Sequence, residues 1–207
     1  MENKNRLIDA TAIITSFLCL CPMIYGIIMW NKLPELMPIH FDANGEPNNW
    51  GPRWVTVFFL PVFLAIINLV VNFSFYFKAR QSGETVKSKF VYVIKWFIPV
   101  IALVIFFLVY SYSLGLILEI PKIVVLIISI MFIIMGNYLP KAENFLLNIK
   151  VKEENYTKVK RIIGWSFVIA GLLGMIMAFF KSGLWIFIGI IFILAIETII
   201  VAVNANK

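Results

Sequence analysis

"YSYSLGLILEIPK", residues 110–122, interrupts what would otherwise be a single apolar run from residue 90 to residue 139. Tyrosines, serines, Gly115 and Pro121 supply turn chemistry there, so the run reads as two helices rather than one. Without that break the chain has five membrane spans. With it there are six, over 9–30, 55–77, 90–111, 118–139, 162–180 and 184–203. Each approaches or exceeds the ~18 apolar residues that mark a spanning helix.

Charge placement favours six. One side then receives Lys4, Arg6, Lys78, Arg80, Lys87, Lys89, Lys141, Lys150, Lys152, Lys158, Lys160, Arg161 and Lys207; the other receives Lys32, Arg53, Lys122 and Lys181. Thirteen against four puts both termini in the cytoplasm by the positive-inside rule, whereas five spans would put Lys141 to Arg161 outside. Composition agrees. Apolar residues make up 61% and charged residues 14%, against roughly 45–50% and about 25% in soluble domains.

The expected fold is therefore all-α: one polytopic membrane helix bundle of about six transmembrane helices filling residues 1–207 as a single domain. An ordered extracytoplasmic cap over 31–54 joins the first two helices, and a cytoplasmic loop covers 140–161. The formal charge of +7 is spent on orientation, so no direct nucleic-acid contact is expected. The first span reads as a retained helix, having two basic residues before it and no small-residue cleavage site. Cys19 and Cys21, two apart in that helix, point to different faces and are packing residues rather than a disulfide.

The cap is crowded. Pro34 and Pro38 forbid a continuing helix, Ile39 to Asp42 alternate as a short strand does, and Asn44-Gly45 is a hairpin-turn dipeptide. Pro47 confines the return strand to an edge. Trp30, Trp50 and Trp54 flank the cap as interfacial aromatics do. His40 is the chain's one histidine. With Asp42 two residues on, it would share a strand face, as a hydrogen-bonded pair, a proton-transfer couple or part of a metal site; alternatively it is a polar core residue of the cap. Without a second histidine or a nearby cysteine, a metal site is not expected.

Other chemistry is sparse. No Gly-x-Ser-x-Gly, His-Glu-x-x-His, Rossmann glycine motif or P-loop is present, so neither an enzyme nor a nucleotide cofactor is expected. Lys95 and Glu197 lie within apolar runs, where an unpaired charge is costly. Lys95 can snorkel to the cytoplasmic surface or pair with Glu197, and Glu197 can instead stay protonated against a neighbouring helix. Ala170, Gly171, Gly174 and Ala178 in the fifth span allow close helix packing.

A second segment, "GNYLPKAENFLLNIK" over 136–150, closes the fourth span. Asn137 can cap the helix end, Pro140 stops it and Lys141 fixes its orientation. Phe145, Leu146, Leu147 and Ile149 with Asn144, Asn148 and Lys150 suggest a stretch lying on the membrane surface. "KVKEENYTKVKR", 150–161, then reads as a solvated connection or a protein-binding loop.

With both segments in view, the chain resembles the SdpI family of bacterial immunity membrane proteins, including the domain of unknown function that commonly forms their first half. The resemblance rests on Pro34, Pro38, His40, Phe41, Gly45, Pro47, Trp50 and Gly51 in the cap, and on Gly136, Asn137, Tyr138, Leu139, Pro140 and Lys141 with Asn144 and Phe145 after them. Past Asn144 the chain departs from the family's Gly-Ile-Arg-Thr-like stretch, reading Asn148, Ile149, Lys150 and Val151. The resemblance implies a multi-pass protein of the bacterial cytoplasmic membrane that binds a secreted peptide toxin at the outer face and protects the producing cell. In the family the toxin-loaded protein can also hold a cytoplasmic transcriptional repressor at the membrane. It places Pro38, His40, Phe41, Asp42, Gly45, Pro47, Trp50 and Gly51 at a toxin-binding cap, with membrane lipid as the other partner. Two rival readings stay open: an intramembrane enzyme acting on lipid or peptide with His40 as base, and a small proton-coupled transporter using Glu197.

Overall fold

The structure is a computed structural model that describes residues 9–83, 89–144 and 151–205. In chain order it comprises α1 (Ala10–Ile28), β1 (Leu36–Phe41), β2 (Pro47–Pro52), α2 (Leu60–Ser82), α3 (Lys89–Lys95), α4 (Phe97–Ser113), α5 (Ile120–Tyr138), α6 (Tyr156–Met177) and α7 (Gly183–Asn204). A π-helical turn, Val55–Phe59, leads into α2. Counting α3 and α4 as one broken span, six helices among the described residues are long and apolar enough to cross a membrane. The chain is thus a multi-pass, all-α membrane protein carrying one two-stranded sheet.

The 110–122 stretch is indeed a helix end. Gly115, at φ +86°, donates its N–H to the Tyr112 carbonyl (2.9 Å), and Leu116 donates to that of Ser111 (2.9 Å). Those two bonds form a Schellman cap, whose left-handed residue favours glycine. Pro121 then occupies the first turn of α5, where its missing N–H costs nothing.

Three boundaries differ from the sequence reading. The second helix continues to Ser82, past residue 77, and carries Lys78 and Arg80 on it. The third is broken at Trp96, because Pro99 lacks the N–H that would bond the Lys95 carbonyl. The loop ahead of the fifth helix shortens, since α6 begins at Tyr156. There Val159 and Ile163, four apart, extend the buried face, and Lys160 is buried rather than solvated. Finally, the basic residues Lys4, Arg6, Lys87, Lys150 and Lys207, and the surface stretch expected over 145–150, lie outside the described residues.

Two compact units divide the chain. One takes the described residues up to Gln81 together with Ile94–Ile120; the other takes Ser82–Val93 and the chain from Pro121 onward. In the first, Cys19, Ala65, Val57, Ala102, Phe106, Val109 and Tyr110 build a core with Leu33 and Met37 from the cap. Asp9 caps α1 by accepting from the Ala12 N–H (2.7 Å). Asn68 of α2, fully buried, donates to Thr15 Oγ1 (3.0 Å) and Ser16 Oγ (2.9 Å) of α1. An interhelical hydrogen bond of this kind is worth about 0.6–2 kcal/mol in lipid. Gly26 lets α1 come close: a Cβ there would meet Tyr110 Oη at 2.6 Å and Val57 Cγ1 at 2.7 Å. Tyr110 in turn donates to the Pro22 carbonyl (3.1 Å).

In the second unit the small residues of α6 are packing positions. A Cβ on Gly171 would meet the Ser129 carbonyl oxygen at 2.6 Å, and one on Gly174 would collide with Phe187 and Ser129. Phe187 joins Val125 and Ala178 in a small apolar core. At the opposite end of α6, Asn155 Nδ2 donates to the Ala205 carbonyl (2.8 Å), tying the start of α6 to the end of α7.

Candidate functional site

The cap between α1 and α2 is an antiparallel hairpin of β1 and β2. Leu36 lies opposite Pro52, Met37 opposite Gly51, Pro38 opposite Trp50 and Phe41 opposite Pro47, with irregularities on either side of His40. The turn is longer than Asn44-Gly45 alone. Asp42 donates its N–H to the Glu46 carbonyl (2.8 Å) and accepts from Gly45 N–H (3.0 Å). A three-residue loop, Ala43 to Gly45, is thereby closed, with Gly45 at φ +86°.

Met37 anchors the inner face. It is 0% exposed, and burying such a side chain contributes about 1.5–3 kcal/mol. Opposite it Gly51 is buried too, and a Cβ there would meet Ile39 Cγ2 at 3.0 Å. Phe41 packs edge-on against Tyr112 at the end of α4 (5.5 Å between ring centroids), and Trp50 lies beside the same ring at 6.4 Å. Arg53 closes the base: its guanidinium stacks over Trp30 (4.2 Å) and donates to the carbonyls of Trp30 (2.8 Å) and Leu33 (3.2 Å). Trp30 therefore supports the base of the cap, also against Phe58, while Trp50 and Trp54 are left exposed.

His40 and Asp42 do not form a couple. The His40 ring is exposed and its Nδ1 lies 2.6 Å from Asn48 Oδ1. Asp42 Oδ1 instead accepts from the backbone N–H of Asn44 (2.8 Å) and Glu46 (2.9 Å). The one-face geometry of a regular strand fails because the ladder is irregular beside His40 and because Asp42 already belongs to the turn. The Glu46 N–H, with those of Asn44 and Gly45, holds the Asp42 carboxyl below the usual carboxylate range. A carboxyl so depressed stabilises the turn fully above its unfolded value of about 3.9, and that contribution is lost as pH falls through the folded value. Acid titration followed by NMR should accordingly move the Asn44 and Glu46 amide signals below about pH 4; unmoved amides would remove this role.

The second signature segment sits in the other unit, where α5 ends in a short turn, Leu139–Lys141, against α6. Gly136 and Gly164 meet backbone to backbone there: a Cβ on Gly136 would collide with the Gly164 carbonyl oxygen, and one on Gly164 would meet that of Gly136 at 2.7 Å. The Pro140 ring also borders Gly164. Lys141 lies over the Tyr138 ring (5.1 Å), and Lys160 Nζ donates to the Ala142 carbonyl (2.7 Å). Asn137 and Asn144 are exposed. This segment is thus largely a helix-packing knuckle.

The intramembrane charges take partners other than each other. Lys95 Nζ pairs with Asp9 Oδ2 at 2.6 Å, at the start of α1, and is buried by protein. Asp9 stands 86 residues away in the chain, at a helix start. Glu197 Oε1 accepts from the Ser166 hydroxyl at 2.7 Å, linking α7 to α6. Among the described residues no three His, Cys, Asp or Glu side chains group as metal ligands.

Arg53, Asn48 and Tyr112 were not singled out from sequence. For Arg53 a signal existed: an arginine on the sparsely basic side, next to tryptophan, is placed for cation–π stacking.

A family model described as a domain of unknown function, DUF1648, matches residues 17–65. That stretch takes in most of α1, the whole hairpin and the start of α2. No curated protein and no solved structure matches the chain. The chain is therefore a membrane-spanning helical protein that carries a DUF1648 domain.

Proposed function

We propose that this chain is an SdpI-like immunity protein of the bacterial cytoplasmic membrane, with both termini inside, whose hairpin binds a secreted antimicrobial peptide at the outer face. The observation that carries this reading is the hairpin itself. It is held from below by Met37, Arg53 and the Phe41–Tyr112 contact, while Trp50 on the same strands stays exposed. A rigid base under a free aromatic face is how binding surfaces gain affinity without paying for ordering.

The function proposed needs binding alone. His40 engages Asn48 and the Asp42 carboxylate is occupied by turn amides, so a proton-transfer role is the weaker reading. Signalling to a cytoplasmic repressor, the further role the resemblance implies, belongs to the same proposal.

The test is survival of a sensitive bacterium making this protein, challenged with candidate secreted peptides. Trp50→Ala should lower protection at least about tenfold, the scale of a lost aromatic anchor, and Phe41→Ala should lower it by freeing the hairpin from Tyr112, both at matched membrane levels. Full protection in both variants would remove the hairpin from the function. A covalently altered peptide mass would instead favour the enzyme reading.

A further inference from the structure

We infer that the peptide taken by the hairpin is cationic and amphipathic. Its apolar side would sit on Leu36, Trp50 and Pro52, and its cationic groups beside Glu35 and Glu46. The inference rests on the reading of the hairpin as a peptide receptor and adds to it the partner's chemistry.

Register defines the apolar face. Leu36 is opposite Pro52, and Trp50 is two residues from Pro52, so the three share one side of the ladder. Leu36 is 58% exposed and Trp50 48%. On that same side Pro38, opposite Trp50, is covered, so the open apolar surface is Leu36, Trp50 and Pro52; on the other side Met37 and Gly51 are buried and Ile39 is exposed.

Strand addition is not the mode of docking. Pro34, Pro38, Pro47 and Pro52 lie in or beside the two strands, and proline removes the donors that an added strand would need. Side chains must carry recognition.

Charge selects the occupant. In a chain of formal charge +7, residues 35–52 contain three carboxylates, Glu35, Asp42 and Glu46, and neither lysine nor arginine. The flanking Arg53 is turned onto Trp30 and two carbonyls, leaving Lys32 as the other nearby cation in sequence. Glu35 stands at the base of the apolar face and Asp42 and Glu46 at its tip, roughly 20 Å apart along a six-residue strand. An apolar face with carboxylates at both ends complements a peptide that is apolar on one side and cationic on the other. It also repels anionic peptides.

The test uses the full chain in nanodiscs of zwitterionic phosphatidylcholine, with empty nanodiscs as baseline. The probes are a synthetic amphipathic leucine–lysine peptide and its counterpart with glutamine at every lysine. Glu35→Gln with Glu46→Gln is the informative variant, because both side chains are exposed and neither carboxylate closes the turn, as that of Asp42 does. Wild type should prefer the lysine peptide, and the double variant should lose on the order of tenfold of that affinity at low salt, with a flatter salt dependence. Equal binding of the two peptides, or an unchanged double variant, overturns the inference. If Trp50→Ala then still weakens both peptides, the receptor reading stands without its charge selectivity. Binding no better than to empty nanodiscs overturns the inference as well, and the survival assay decides the receptor reading separately.

Discussion

Gly164→Leu should destabilise the second unit by at least about 3 kcal/mol, at the upper end of the usual cost of overpacking. Most overpacked sites relax by moving a side chain. Here the first atom met by a new Cβ is a backbone carbonyl, that of Gly136 at 2.7 Å, followed by the Pro140 ring at 2.9 Å. Gly136 faces Gly164 in the same way, so neither helix can yield without separating the pair. Helix propensity points the other way, since replacing a mid-helix glycine by alanine typically gains about 0.5–1 kcal/mol. Gly189 of α7, exposed and with nothing within 4 Å of an added Cβ, is the matched control: Gly189→Ala should melt at or above wild type. Thermal unfolding in one detergent, with membrane yield, checks both. A Gly164→Leu protein melting like wild type would show that α5 and α6 are not in backbone contact.

Loss of Arg53 should be the most damaging change in the cap. Arg53→Met keeps much of the side-chain bulk but removes the stack on Trp30 and the two bonds to the Trp30 and Leu33 carbonyls. A hydrogen bond to a charged donor is worth about 1.5–3 kcal/mol, and a stacked cation about 0.5–2 kcal/mol. Because the side chain is only half-buried, screening brings the combined loss down to about 2–4 kcal/mol. The loss should be local: protease should cut between residues 31 and 54 in the variant while the helices stay intact. Arg53→Lys, which keeps the charge but not the planar fork, should fall in between. A cap equally resistant in all three proteins would mean that Met37 and the aromatic contacts hold it unaided.

How much of this was legible beforehand depended on the range of the interaction. The six spans follow from runs of apolar residues, and the decisive break at 110–122 from glycine and proline preferences acting within a few residues. The presence of a hairpin over the cap is equally local. Its contacts are not: the His40 partner is Asn48 instead of Asp42, because a ladder irregularity shifts which side chains meet.

By itself, then, the sequence determined that this is a multi-pass helical membrane protein with a structured polar cap, since hydrophobicity and turn chemistry are properties of short segments. Only the tertiary structure decided which distant groups meet. It gave Lys95 to Asp9 and Glu197 to Ser166, set Gly136 against Gly164, and placed Tyr112 beneath the hairpin aromatics. In lipid a buried charge or amide must find a donor or acceptor wherever the folded chain brings one near, and nothing in the spacing of residues along the chain names that partner.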